Sequence, residues 1–196
     1  MASVPHAPEG RRDRVPPGQT VTAKFPVLHV GSVPQFDPRT WDFSVYGEVY
    51  KPLTFTYDEF RQLPRVVRTS DFHCVTGWSR LDNRWEGVSF LDLMRLAGLR
   101  PTAHFAIAHC EGGYTTNVPL ENMLDEDVLL AYRLDGADLS PEHGWPLRLI
   151  VPSVYAYKCA KWIRALELTV EDRPGYWEVR GYHNRADPWK EERYSV

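Results

Sequence analysis

The chain has 196 residues, a length that suits one domain and lets a core form without disulfide help. Its residues are 43% hydrophobic and 25% charged with a net charge of −3, which argues against nucleic acid as the main partner, because phosphate binders concentrate a basic excess. The three cysteines, Cys74, Cys110 and Cys159, form no CxxC pair, so neither a structural zinc site of the usual kind nor a secreted disulfide framework is expected.

Residues 1–20 are rich in proline and charge, the composition of a poorly ordered tail. Arg11 and Arg12 could suggest a twin-arginine export signal, but no apolar run follows them. No stretch reaches the ~18 apolar residues of a membrane-spanning helix, so the expectation is a soluble cytoplasmic protein. Residues 21–196 contain no repeat or linker and are expected to form a single domain.

Along that domain, "KFPVLHVGSVP" is extended and pinned by Pro26 and Pro34. "WDFSVYGEVY" predicts a strand with Phe43, Val45 and Val49 on one face and a bulge at Gly47. Thr56 and Glu59 form a capping box for a helix that stops at Pro64. "RVVRTSDF" predicts a strand ending at Cys74, with a polar loop after it that Trp85 and Glu86 close.

Ser89 and Asp92 start a helix over "FLDLMRLAGL", which Gly98 and Pro101 end. "HFAIAHC" is a strand turned by "EGGY", and "PLENML" is one or two helical turns. "VLLAYRLDGADL" is a strand leading into an Asp-Gly turn, and "LRLIVP" is a buried strand. "AKWIRALELTV" is strand-like at its end, though its start could be helical, and the aromatic tail from Gly175 is irregular.

Two stretches carry chemistry. A free cysteine is most often a small buried hydrophobe, but Cys74 sits at the exit of a strand, where sites are commonly built. It can serve as a thiol nucleophile or as a soft metal ligand, and the residues alone leave both open. His73 points to the opposite face of an extended chain, so a nucleophile would need a base from elsewhere, such as His109 or His143. The second stretch, "HGWPLRLIVPSVYAYKCAKW", carries His143, Arg148, Lys158 and Lys161 among apolar residues. A buried-edge basic cluster needs an anion such as a phosphate to neutralise it.

Together, "CVTGWS" with "WEGVSFLDLM", "HGWPLRLIVP", "YAYKCAKW" and "GYWEVRGYHNRADPW", in this order, resemble the sulfite-oxidase-type molybdopterin domain. Within that family the likeness is to the stand-alone, haem-free bacterial oxidoreductases, and it runs from about Pro17 to Tyr194. The resemblance implies an α+β fold of mixed β-sheets with a few short helices. It also implies a single molybdopterin carrying molybdenum, with Cys74 as the metal's protein ligand.

By the same resemblance, His143 and Arg148 match the pair that contacts the pterin, and Lys161 matches the lysine before the family's tryptophan. Tyr155 to Lys158 lie in the cofactor-wrapping loop, His29 resembles an N-terminal histidine that approaches the pterin, and His73 flanks the ligand. Cys74, Trp78 and Tyr114 are the implied catalytic group; in the "HCEGGY" turn either Glu111 or Tyr114 would face the metal, and a solvated turn accounts for Glu111 equally well. Cys110 and Cys159 are expected to pack, and Trp162, Trp177 and Trp189 to be core or lid aromatics.

The chain departs from sulfite oxidases after the cysteine, where Val75, Thr76, Gly77 and Trp78 replace an arginine-bearing loop. This disfavours sulfite and suggests two-electron oxygen-atom transfer on another small oxo-compound, a sulfoxide or N-oxide, with electrons exchanged with a separate protein. A cofactor-free thiol enzyme and a redox-inactive cofactor-binding module are the alternatives.

Overall fold

The computed structural model describes residues 14–195. In chain order its strands are β1 (Thr20–Val21), β2 (Asp42–Gly47), β3 (Leu53–Thr56), β4 (Val66–Cys74), β5 (Trp78–Ser89), β6 (Phe105–Cys110), β7 (Thr115–Pro119), β8 (Leu129–Leu134), β9 (Ala137–Asp138), β10 (Arg148–Ile150) and β11 (Ile163–Thr169). The α-helices are α1 (Tyr57–Gln62), α2 (Phe90–Ala97) and α3 (Leu120–Met123). Among the described residues no helix is long and apolar enough to cross a membrane.

The strands form two sheets. One is five-stranded in the order β3-β2-β11-β6-β7, with β2 and β11 parallel and the other pairs antiparallel. The other is six-stranded, running β1-β5-β8-β10, with β4 paired to β5 and β9 to β8. Alternation decides which faces are buried: Phe43 and Val45 of β2 and Leu166 and Leu168 of β11 point inward. They join Trp85, Val88, Leu129, Leu130 and Leu149 of the larger sheet, and Leu93 and Met94 of α2, in one hydrophobic cluster.

Local signals account for the boundaries. The Thr56 side chain accepts from Glu59 N while the Glu59 carboxylate accepts from Thr56 N, so α1 opens on the expected capping box. Asp135 and Gly136 both have positive φ, 52° and 85°, which joins β8 to β9 through the expected Asp-Gly turn. Gly47 lies where a Cβ would stand 2.2 Å from Leu168 O, so only glycine lets β2 approach β11 there.

Two expectations need correction. The polar stretch after Cys74 is not a loop: Trp78 to Ser89 form the longest strand, and Trp85 is fully buried in the core. Its charges are absorbed sideways, because the buried Glu86 carboxylate accepts from Arg65 (3.1 Å), Arg133 (3.3 Å) and Arg84. The end of the expected tail is also tied down. Arg14 pairs with Asp71 at 2.5 Å and Asp82 at 2.7 Å, and β1 lies parallel to β5. The rest of that tail, residues 1–13 with Arg11 and Arg12, lies outside the described residues.

Candidate active site

β4 delivers Cys74 as its last residue, and Val75, Thr76 and Gly77 turn the chain into β5, where Trp78 pairs with Cys74. The turn closes with Gly77 N donating to Cys74 O at 3.0 Å, and Gly77 takes φ 94°, a conformation that favours glycine. Three further bonds hold it from outside. Gln19 Nε2 donates to Cys74 O (3.1 Å), Arg193 Nη1 to Val75 O (2.5 Å) and Thr20 N to Gly77 O (2.9 Å). The Cys74 Sγ is 3.1 Å from Thr76 Oγ1 and faces a cavity of about 610 Å³.

Arg148 and Lys161 form the charged side of this cavity. They are brought together by an isolated antiparallel bridge and by Gly144, at φ 114°, where a Cβ would stand 3.2 Å from the Cβ atoms of both. Arg148 is only 4% exposed, and among the described residues no carboxylate pairs with it. Its Nη1 donates to His143 O (3.1 Å), its guanidinium lies over Phe25 and Phe72, and its Nε is buried without any partner.

Burial drives the Arg148 pKa down to about 10. Burial and the neighbouring Arg148 bring the Lys161 ammonium down to about 7, although its Nζ donates to Leu28 O (2.7 Å) and Glu142 O (2.6 Å). A buried guanidinium with no carboxylate partner, beside a second basic group, suits an anionic ligand.

Aromatic residues form the opposite wall. Tyr114, Tyr157, Tyr176, Trp177 and Tyr182 line the cavity in a chain of ring contacts. Centroids are 5.7 Å apart for Tyr114–Tyr176, 4.8 Å for Trp177–Tyr182 and 5.1 Å for Tyr157–Tyr182. Tyr114 donates its hydroxyl to Tyr157 O at 2.5 Å, and burial holds its pKa well above the usual range. Its phenol therefore acts as a neutral, already committed wall group.

Of the residues expected at the site, His29, Cys74, Trp78, Tyr114, Arg148 and Lys161 line the cavity. His143 does not: it lies behind, stacked on Phe25 with centroids 4.6 Å apart, its Nδ1 bonded to Ser140 Oγ and its Nε2 to Phe25 O. His73 is buried on the far face of β4, bonded to Ser79 Oγ at 2.8 Å, as strand alternation requires.

Tyr155 is fully buried, with its hydroxyl toward Pro188 O, and is not a cavity residue. Lys158 is corrected most plainly. Its fully buried ammonium pairs with Glu178 (2.7 Å) and donates to Asn117 O (2.6 Å), away from Arg148 and Lys161. Cys159 lines the floor but is 2% exposed, and burial raises its thiol to about 11; Cys110 is likewise buried. Glu111 reaches the cavity rim and is paired with Arg164.

Several site residues escaped the sequence reading. Phe25, Gln19 and Arg193 are far from Cys74 in the chain, and no local pattern marks them. Tyr176 and Tyr182 sit in a stretch whose richness in aromatics was the available signal, while Tyr157 lies in the expected cofactor-wrapping loop.

Residues 30–177 match the family described as the oxidoreductase molybdopterin binding domain. The chain belongs to that family. It is 48% identical to the uncharacterized oxidoreductase YuiH of Bacillus subtilis over 93% of this chain and 92% of that protein. It is 32% identical over 85% of its length to the provisionally named protein-methionine-sulfoxide reductase subunit YedZ1 of Azospira oryzae, spanning 64% of that relative. An NADH nitrate reductase of rice is 26% identical over 86% of this chain, which spans only 22% of that enzyme.

The structure of the sulfane dehydrogenase SoxCD of Paracoccus pantotrophus shares the fold, with TM-score 0.66 and 23% identity over 80% of this chain and 46% of that one. The expected α+β sulfite-oxidase-type fold is therefore the one observed, and the protein is a molybdopterin-dependent oxidoreductase whose cofactor is molybdopterin with molybdenum.

Proposed function

We propose that this molybdopterin oxidoreductase domain holds one pterin and its molybdenum in the 610 Å³ cavity, with Cys74 Sγ as the protein ligand, and reduces a small neutral oxo-compound, a sulfoxide or N-oxide. The observation that carries the reading is Arg148, a buried cation with an unpartnered Nε in the same cavity as the Cys74 thiol. A phosphate-bearing cofactor is the anion such a group lacks. Among the described residues no cluster of three His, Cys, Asp or Glu stands ready to hold a metal, so a metal on Cys74 takes its remaining ligands from the cofactor.

When bound, the group supplies the two-electron couple. The protein's part is to orient, to exclude and to select. Arg148 and Lys161 grip the anionic tail from one side, while the bonds from Gln19, Thr20 and Arg193 fix the ligand loop. The wall of Tyr114, Tyr157, Tyr176, Trp177 and Tyr182 is aromatic and suits the apolar substituents of a small sulfoxide or N-oxide.

The overall change is sulfoxide plus two electrons plus two protons to thioether plus water. The electrons come from a separate protein; the subunit designation of the YedZ1 relative is in keeping with that. No observation favours the thiol-enzyme alternative. The rings of His73, His109 and His143 are bonded to Ser79, Glu167 and Ser140, and none to Cys74.

The test is purification from a host that makes the cofactor, followed by metal and pterin analysis and viologen-driven reduction of sulfoxides, N-oxides and nitrate. About one molybdenum and one pterin per chain with sulfoxide turnover is the expected result. Protein carrying neither would overturn the reading, and nitrate turnover alone would overturn the substrate class.

A further inference from the structure

Nothing in the resemblance or the relatives' names gives a role to Thr76, yet among the described residues its hydroxyl is the side-chain group that hydrogen-bonds the Cys74 sulfur, at 3.1 Å. The contact is built rather than incidental. Cys74 O is bonded by Gly77 N and Gln19 Nε2, and Val75 O by Arg193, so the backbone on both sides of Thr76 is fixed. A β-branched side chain on a fixed backbone has few rotamers. Thr76 itself is exposed and lines the cavity, so its side chain contributes little to the core.

Toward a metal-bound sulfur, which has no proton of its own, the hydroxyl can only donate. We propose that Thr76 is a positioning and tuning residue: its hydroxyl donates to the Cys74 sulfur and sets both the direction of that ligand and the reduction potential of the metal it holds. This rests on Cys74 being the protein ligand. A donor to a thiolate ligand draws electron density off the sulfur and favours the more electron-rich, reduced state of the metal. Without the donor, the potential falls.

The experiment compares the cofactor-loaded wild type with Thr76→Val, Thr76→Ser and Cys74→Ser in redox titrations followed by electron paramagnetic resonance and by visible absorption. Thr76→Val is expected to shift the one-electron equilibrium about tenfold toward the oxidised state, ~59 mV lower, with altered paramagnetic parameters. Thr76→Ser, which keeps the donor, should restore most of the potential. Cys74→Ser should lose the part of the sulfur-to-metal absorption that the cysteine contributes, leaving that of the pterin.

If Cys74→Ser leaves the absorption unchanged, the ligand assignment is wrong and this inference falls with it. If Cys74→Ser changes the spectrum while Thr76→Val matches wild type in potential and resonance, only the role of Thr76 is overturned. A shift in Thr76→Val that Thr76→Ser fails to reverse would also overturn it, because the effect would then follow shape rather than the donor.

Discussion

Replacing Arg148 by methionine should move two properties in opposite directions. In the cofactor-free protein the guanidinium is buried with a neutral acceptor, His143 O, and two phenylalanine rings for company. The fall of its pKa from 12.5 to about 10 corresponds to about 3 kcal/mol against the charged form in the folded state. Methionine removes that penalty but also forfeits a hydrogen bond, about 1 kcal/mol, and ring contacts of about 1 kcal/mol.

The cofactor-free Arg148→Met protein should therefore be about 1 kcal/mol more stable, read as a higher urea midpoint at unchanged slope. In the loaded protein the same change strips a buried anion of its partner. That costs about 3–5 kcal/mol, about two to four orders of magnitude in cofactor affinity. Pterin and molybdenum content after extended dialysis measures it. A variant that loses stability without the cofactor, or retains the cofactor as wild type does, would refute the assignment of Arg148 as an anion-binding group.

Lys161 gives a pH signature: its pKa falls from 10.5 to about 7 on folding, so the unfolded chain binds more protons between those values. Stability of the cofactor-free protein should rise with pH from about 7 to 10.5, and Lys161→Met should flatten that slope in urea titrations across the range. Lys158→Met should destabilise by about 3–5 kcal/mol, because it leaves the buried Glu178 carboxylate without its cation; a double-mutant cycle with Glu178→Gln should recover part of the loss. Gly87→Ala should lower the melting temperature by about 6–12 °C, equivalent to about 3 kcal/mol or more, because a Cβ there would lie 2.0 Å from Leu130 O in the β5–β8 ladder.

Legibility in the sequence followed the range of the forces involved. The α1 capping box and the Asp135-Gly136 turn were readable because donor and acceptor lie within a few residues. β2 and β11 were readable because one face of each is buried and the alternation survives. β5 was not, because Ser79 and Asn83 occupy buried positions where apolar residues were expected. They are satisfied by distant partners: Ser79 by Gln19 and His73, Asn83 by Ser70 O.

The basic stretch shows the same division. Its composition announced an anion site, and Arg148 and Lys161 do face one cavity. The 3-10 turn at Ala156–Lys158 sends Lys158 to the other side, toward a glutamate 20 residues on. Spacing alone carries no information about that choice.

The cavity is assembled from segments that have little reason to meet otherwise. Phe25 to Ser32, the Cys74 turn, Arg148, the stretch to Trp162, and Tyr176 to Tyr182 all converge on it. Each is fixed by backbone bonds at its margins, yet at the centre no carboxylate among the described residues pairs with the buried Arg148 guanidinium. Such a centre works against folding until an anion fills it.

A ligand that binds only the folded state adds stability by mass action, about 2.7 kcal/mol at a hundredfold excess over its dissociation constant. The unpaired Arg148 guanidinium, with Lys161 beside it, is therefore the feature that couples the stability of this fold to its cofactor. The aromatic wall, which contains neither cation, is left to discriminate among substrates without disturbing that coupling.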